Sequence, residues 1–452
     1  MAAQGSKLGI TSILVQVVDG VEWSAETTGR IGALGTLSPM APATETVEIE
    51  GHIIDSLILA KVMDLVLAAG ADYEVQSVHI GKTNRDMSRA RIQISASSDE
   101  VLAPLLSQLQ AHGANRVVQG DAELVAADTD GVLPAGFYAT TNLPTWVRLG
   151  GRWVSVVNPE MDCAIVVRGG RSGHEGIRTV PMHRVRAGDP VVVGTDGVRV
   201  EAPQRPRGAG PFEFMTSEVS SEKPKAVVVA EVAERVRREK AGSGGRVLAV
   251  CGPAVIHTGA GPDLARLVRA GWIDVLFAGN GFAAHDIEAN VMGTSLGVSM
   301  GGGIAADGGH ANHLRVINEV RRYGSIAAAV EAGYVDGGVM YECVRRGVPY
   351  VLAGSLRDDG PLPDVYRDVV EAADAMRYLV HGVTVALMLA STLHAIATGN
   401  LLPSGVETFC VDINQAVVTK LADRGSHQAL GIVTDVGLFV RQLAEQLGGA
   451  PG

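Results

Sequence analysis

Residues 44–51, Thr-Glu-Thr-Val-Glu-Ile-Glu-Gly, alternate polar and apolar, and that period of two predicts a half-buried strand. The spacing becomes helical over Asp55 to Ala69, with Asp55 placed to cap. Two more alternating stretches, Tyr73 to Ile80 and Ala90 to Ser95, flank the turn-rich Gly81 to Asp86, and a second helix is expected from Ser98 to Gln110. The order β-α-β-β-α predicts a ferredoxin-like α+β unit, which we assign to residues 1–115. From 116 to 203 the runs shorten: Trp146 to Val156 and Pro190 to Val200 alternate between Gly, Asp and Pro breaks, as in a small barrel-like β-domain. Residues 204–225, rich in Pro, Gly, Ser and charge, read as a linker. Beyond it, Arg246 to Cys251, Ile273 to Ala278, Pro349 to Ala353, Val383 to Leu389, Val406 to Ile413 and Ala429 to Thr434 are apolar runs, each trailed by a helical stretch. Residues 226–452 are therefore expected to form an α/β domain with a doubly wound parallel sheet.

In such a sheet, ligands bind outside the carboxyl ends of the strands, so the residues where strands stop are the candidates for chemistry. Two β-branched strands stop at Asp412 and Asp435, and a carboxylate at that place commonly holds ribose hydroxyls. Gly279-x-Gly281-x-x-Ala284 follows a strand and opens a helix, approximating a dinucleotide fingerprint. Ser391 to His394 and the Arg357-Asp358-Asp359 loop, stiffened by two prolines, also follow buried strands. Ser391 and Thr392 serve equally well as an ordinary N-cap. The glycine-rich stretch Met300 to His313 suits a phosphate cradle or a lid. His310 and His313 have the spacing of a helical metal pair but no evident third ligand, so ordinary polar contacts are expected for them, as for His285 and Asp286. Glu342 is a candidate general base on a helix, against the simpler reading of a surface acid. After Lys240 the only lysine is Lys420, which leaves a Schiff-base mechanism almost no nucleophile; Lys82, in the N-terminal unit, is placed to pair with a substrate carboxylate.

Composition narrows the picture. With 38 basic and 49 acidic residues the net charge is −11, and no block of like charge exists to track a nucleic-acid backbone. The 56 glycines and 4% aromatics suit layered α/β cores of Ala, Val, Leu and Ile. Cys163, Cys251, Cys343 and Cys410 show no Cys-x-x-Cys spacing, which points to a reduced, cytoplasmic setting. The first residues lack the features of a secretion signal, and the apolar stretch Tyr378 to Ala397 is too interrupted by polar residues for a membrane span.

Several long motifs carry a resemblance: Gly51 to Leu59, Gly81-Lys-Thr83, Thr140-Thr-Asn-Leu-Pro-Thr145, Pro159-Glu-Met-Asp-Cys163, Met340 to Cys343, Val351 to Asp364 and the run from Asp412. Together, over about residues 40 to 440, the chain resembles archaeal-type ornithine cyclodeaminase, a family sharing a region with bifunctional lysine-oxoglutarate reductase/saccharopine dehydrogenase proteins. Its C-terminal part is similar in fold to deoxyhypusine synthase. The resemblance implies conversion of L-ornithine to L-proline and ammonia on a retained NAD, in a homodimer or homotetramer. By motif it implies NAD contacts at Asn280, Gly281, Asp359, Ser391, Thr392, Leu393, His394, Asp412, Asp435 and Val436. Gln415 and the pair Gly281-Phe282 depart from the family pattern, and Phe282 is expected to alter the pocket. We expect no hydrolase domain ahead of the shared region. For the chemistry, Asp358 and Glu342, then His310, are expected as acid and base, with Arg357 or Lys82 on the substrate carboxylate. Asp412 favours NAD over NADP, since it repels a 2′-phosphate. Two rivals are an NAD-dependent oxidoreductase of another amino acid, of lysine or saccharopine type, and a non-catalytic NAD-binding module.

Overall fold

The first alternating run folds as β1 (Ala43–Gly51) in a computed structural model that describes residues 43–54, 57–82, 86–168, 176–201, 219–220, 225–242, 244–296, 298–299, 311–358, 360–423 and 429–449. It is followed by α1 (Ile58–Ala68), β2 (Asp72–His79), β3 (Ser88–Ala96), α2 (Asp99–Gln110) and β4 (Asn115–Arg116). The strands pair antiparallel in the order β2-β3-β1-β4, the ferredoxin-like arrangement. Alternation does what the pattern predicts: Val47 and Ile49 face one way, opposite Ile92 and Ala90 of β3, and all four are almost completely buried. Val62 and Val66 of α1 and Leu102, Leu105 and Leu109 of α2 cover them. Asp99 and Glu100 lie in the first turn of α2, where a carboxylate meets the positive end of the helix. Asp55 lies outside the described residues. The last strand, β4, is two residues long, too short for any period to announce it.

Next come β5 (Glu123–Ala126), β6 (Thr145–Leu149), β7 (Arg152–Ser155), β8 (Ala164–Val167), β9 (Ile177–Val180), β10 (Pro190–Val193) and β11 (Val198–Val200). Among the described residues these form two antiparallel sheets, β5-β10-β8-β9 and β11-β6-β7, rather than the expected barrel. Val147, Ile165, Val192, Val198 and Val200 share their core. Asn115 joins this region to the first sheet: its side chain donates to the Val200 carbonyl (2.7 Å) and accepts from the Val200 amide (2.8 Å), imitating a strand residue.

The remaining elements are β12 (Val219–Ser220), α3 (Lys225–Gly242), β13 (Arg246–Cys251), α4 (Ala254–His257), α5 (Gly261–Ala270), β14 (Val275–Gly279), α6 (Asn280–Met292) and the short pair β15 (Thr294–Ser295) and β16 (Val298–Ser299). Then follow α7 (Asn312–Tyr323), α8 (Ile326–Glu331), α9 (Gly338–Arg346), β17 (Tyr350–Ala353), β18 (Val365–Tyr366), α10 (Val369–Leu379) and β19 (Val383–Leu389). The chain finishes with α11 (Leu393–Leu401), β20 (Glu407–Asp412), α12 (Gln415–Asp423), β21 (Ala429–Val433) and α13 (Val436–Leu447). Eight strands form one parallel sheet, β12-β21-β20-β19-β13-β14-β17-β18. The six long strands are buried on both faces, so each reads as a continuous apolar run: in β13, Val247 and Ala249 pack on one side and Leu248 and Val250 on the other. The two-residue edge strands β12 and β18 were not expected; β12 lies inside 204–225, so that stretch is more than a linker. From β13 the chain winds through β14 to β17, then returns to β19 beside β13 and winds the other way through β20 to β21. This is the 3-2-1-4-5-6 order of dinucleotide-binding sheets, and its switch point lies between β13 and β19.

Asp286 sets one helix against another. Its fully buried carboxylate accepts the Val339 and Met340 amides (2.9 and 2.8 Å) at the N-terminus of α9. Burial outweighs these bonds and lifts the carboxyl from 3.8 to about 6. The folded state therefore holds a proton that the unfolded chain releases, so this group's contribution falls as pH rises from about 4 to 6, by roughly 3 kcal/mol. Comparing urea midpoints of wild type and Asp286→Asn across that range should show this extra downward slope in the wild type alone.

All four cysteines are free and buried. No helix among the described residues is long and apolar enough to cross a membrane.

Candidate active site

At the switch point two strand ends touch through their backbones. Gly252 follows β13, and its amide donates to the Leu389 carbonyl at the end of β19 (2.9 Å). A Cβ on Gly252 would lie 1.8 Å from the Ala390 carbonyl oxygen, so no other residue fits without moving a strand. Ala390 itself sits at φ +48°, turning the chain sharply out of β19 and into the Ser391 to His394 segment. Gly252 was not singled out in the sequence; the Cys251-Gly252-Pro253 step after an apolar run was its only local signal.

To one side of the crevice β14 ends at Gly279 and α6 begins at once with Asn280. Gly279 has an ordinary extended backbone, and its smallness serves His394, whose Cε1 would lie 3.0 Å from a Cβ there. Around Gly281 a Cβ would meet nothing within 4 Å, so the first turn of α6 presents bare backbone to open space. Asn280 accepts the Leu362 amide (3.0 Å) and so ties the loop after β17 to this helix start. Within that loop Asp358 accepts the Ser355 amide (2.8 Å), closing a tight turn that leaves Arg357 exposed. His394 is largely buried, which lowers its pKa and favours the neutral ring, while the nearby Asp358 charge opposes that shift.

On the other side, Asp412 ends β20 and accepts the Asn414 amide at Oδ1 (2.8 Å); Asp435 caps α13 by accepting the Leu438 amide at Oδ1 (2.8 Å). Each keeps Oδ2 without a partner among the described residues. Val436 has its side chain in the core, so only its backbone can face a ligand. Leu356, Leu393 and Ile413, 108%, 80% and 75% exposed, form an apolar fringe on the same edge. Phe282, by contrast, is fully buried in the core and does not line the open space over Gly281.

Other expected site residues go elsewhere. Glu342 is buried on α9 and ion-paired with Arg269 (2.6 Å), which lies in the last turn of α5 just before β14 begins. It thus belongs to the α5–α9 packing and not to the carboxyl edge, where a general base is expected. Glu342→Gln should lose about 1 kcal/mol of stability, read from a denaturant midpoint, and leave turnover within twofold. Lys82 is exposed on the β2–β3 hairpin, with no hydrogen bond or ion pair to the strand ends among the described residues. Asp359 and His310 lie outside the described residues. His313 is on α7, its ring 5.9 Å from that of His285, and among the described residues no group of three or more His, Cys, Asp or Glu is arranged to hold a metal.

The family motifs occupy a joint behind the site. Thr140 Oγ1 donates to the Glu160 carbonyl (2.6 Å) and accepts from the Cys163 amide (3.0 Å), holding the two segments together. The Met161 amide reaches the Asn400 carbonyl (3.0 Å), and the Ser404 amide the Asn142 carbonyl (2.8 Å), both at the far end of α11. Glu160 pairs with Arg377 of α10 (2.7 Å).

Residues 44–143 match the family described as LOR/SDH bifunctional enzyme conserved region. Residues 144–229 and 229–443 match the first region and the Rossmann fold of the arginine dihydrolase ArgZ-like C-terminal part. An ornithine cyclodeaminase of Methanopyrus kandleri is 51% identical over 411 residues, covering 90% of this chain and 98% of the relative. The chain belongs to the archaeal-type ornithine cyclodeaminase family. A second ornithine cyclodeaminase, from Methanocaldococcus jannaschii, is 52% identical over 407 residues, 89% of this chain and 95% of its own. Among solved structures, the apo structure of ArgZ, a cyanobacterial arginine dihydrolase, aligns with TM-score 0.78 at 39% identity, over 90% of this chain and 58% of that one. A LOR/SDH protein of Methanococcus maripaludis S2 aligns with TM-score 0.68 at 47% identity, over 73% of this chain and 98% of its own.

Proposed function

We propose that the chain converts L-ornithine to L-proline and ammonia on a retained NAD. The observation that carries this reading is a dinucleotide crevice at the β13–β19 switch point in a chain about half identical to ornithine cyclodeaminases over nearly their full length. The site fits the cofactor. The carboxyl ends of β14, β13, β19, β20 and β21 are successive in the sheet, and four steps of about 4.8 Å span roughly 19 Å, enough for an extended dinucleotide. Bare backbone at Gly281 and the helix starts at Asn280 and Val436 suit a pyrophosphate. The free Oδ2 atoms of Asp412 and Asp435 suit ribose hydroxyls, and the apolar fringe suits the faces of the rings.

Bound NAD supplies a reversible hydride acceptor, so the α-carbon is oxidised and the ring closed on it is reduced again with no net redox change. Arg357, exposed and without an ion pair among the described residues, binds the substrate carboxylate. Asp358, held at the loop turn beside His394, takes the proton that the δ-amine sheds on ring closure and returns it to the leaving ammonia. Gly279 admits the His394 ring against the start of α6.

Incubating the purified protein with isotopically labelled ornithine, with and without added NAD, tests the reading. Labelled proline and ammonia should appear without stoichiometric NADH. Accumulating NADH would point instead to an oxidoreductase of another amino acid, and absence of proline at every pH would sink the proposal.

A further inference from the structure

A second cavity lies at the opposite edge of the parallel sheet from the crevice. It holds about 450 Å³ between the β-domain, at β9, and the amino end of β19, where Val383 begins the strand. Six residue steps of about 3.3 Å carry β19 from Val383 to Leu389 at the switch point, roughly 20 Å, so one small molecule cannot reach both places. Four guanidiniums line the cavity, those of Arg168, Arg178, Arg184 and Arg377. Three are answered one to one by carboxylates: Arg168 by Asp189 (2.6 Å), Arg184 by Asp374 (2.9 Å) and Arg377 by Glu160 (2.7 Å). Glu160 is the only acid among the described lining residues, and both its oxygens accept from Arg377 Nε (2.7 and 3.0 Å). Arg178, on β9, is exposed and makes no side-chain hydrogen bond or ion pair among the described residues. One positive charge on this lining therefore stands unanswered.

The same wall holds a residue in an unusual conformation. Asn158 has φ +46°, in the left-handed region. Its carbonyl accepts from Thr179 Oγ1 (3.1 Å), and its Nδ2 lies 2.6 Å from His381 Nδ1. The amide donates to that nitrogen, so His381 carries its hydrogen on Nε2. Thr179 and His381 are themselves lining residues, so two parts of the wall fix a backbone conformation of the kind that collects at ligand sites. The rest of the lining is apolar, including Val157, Leu401 and Pro403, and Val157 is 48% exposed. A single free guanidinium beside an open apolar wall suits a ligand with one negative charge and an apolar body. A phosphate dianion would exceed the one free charge and leave the apolar wall bare.

We propose that this cavity is a second ligand site, separate from the crevice, for a small organic carboxylate whose charge pairs with Arg178 and whose apolar body lies against Val157 and Leu401. Leu401 is the last residue of α11, so the occupant rests on the same end of that helix that the Thr140–Thr145 and Pro159–Cys163 segments hold. The inference is independent of the cyclodeaminase reading, and its test reads binding rather than turnover.

In isothermal titration of the NAD-loaded protein, 4-methylpentanoate should saturate a site at one molecule per chain, and its uncharged amide should bind at least tenfold more weakly. Arg178→Gln should lose at least tenfold in affinity for the acid while melting within about 2 °C of wild type, since it removes no bond seen among the described residues. Arg357→Gln, altered at the crevice, should bind the acid within twofold of wild type. Phenylglyoxal should modify Arg178 in the free protein, and 4-methylpentanoate should slow that reaction at least fivefold, mapped by peptide mass spectrometry. The proposal is overturned by an affinity weaker than about 10 mM, by equal binding of acid and amide, or by inorganic phosphate binding as tightly as the acid. Affinity that survives in Arg178→Gln, or an Arg178 that the acid leaves unprotected, overturns it equally.

Discussion

Asp412→Asn is expected to bind NAD 10- to 100-fold more weakly than wild type and to discriminate less against NADP. The argument is geometric. Asp412 spends Oδ1 on the Asn414 amide, a bond that asparagine's carbonyl oxygen also makes, so the turn after β20 survives the change. What disappears is the charge on Oδ2, the atom without a partner among the described residues. A charge-assisted hydrogen bond to a ribose hydroxyl contributes about 1.5–3 kcal/mol, which sets the size of the loss. Removing the negative charge also removes the repulsion of a 2′-phosphate. Titration of cofactor-free protein with NAD and NADP, alongside a thermal melt unchanged within about 2 °C, checks both parts. Equal affinity of variant and wild type for NAD would reject the ribose assignment.

The largest structural effect is expected at Gly252. Replacement by alanine puts a methyl group 1.8 Å from the Ala390 carbonyl oxygen, far inside contact distance. Relief requires separating β13 from β19 at their carboxyl ends, where Gly252 N–H and the Leu389 carbonyl are bonded, in the middle of the eight-stranded sheet. Forced overpacking typically costs 1–3 kcal/mol, and a backbone clash at a central strand pair belongs at or beyond the top of that range. Gly281→Ala is the matched control: the added methyl meets nothing, so the fold should be untouched and only NAD affinity reduced. A Gly252→Ala protein with a wild-type urea midpoint would refute the close approach.

What the amino-acid pattern revealed follows from how each feature is encoded. Strands buried on both faces must be apolar throughout, so the six long strands and the polar residues that stop them stand out: Asp412, Asp435, Gly279 and Ser391 are visible because a buried parallel strand tolerates them only at its end. The ferredoxin-like unit is equally visible through the period of β1 and β3. Two-residue edge strands carry no period, which hid β4, β12 and β18. Gly252 is one of 56 glycines, and its meaning arises only when β13 meets a strand well over a hundred residues later. Glu342 shows the converse: a helix acid before a strand has the same local pattern whether it works in a site or pairs with an arginine 73 residues earlier. His257 and His285, 28 positions apart, form no motif, and only the packing of α4 on α6 brings their rings together.

The joint behind the site ties two distant surfaces to one short rod. Nine-residue α11 is about 13 Å long. Its first residues, Leu393 and His394, stand in the crevice, while Asn400 and the residues just past its end are gripped by the Thr140–Thr145 and Pro159–Cys163 segments. The β-domain thus works as a vise on the base of a cofactor-facing pin. A chimera that exchanges the β-domain between relatives must carry α11 along with it, because a mismatched grip would tilt the pin and misalign His394 over Gly279 even with every crevice residue unchanged.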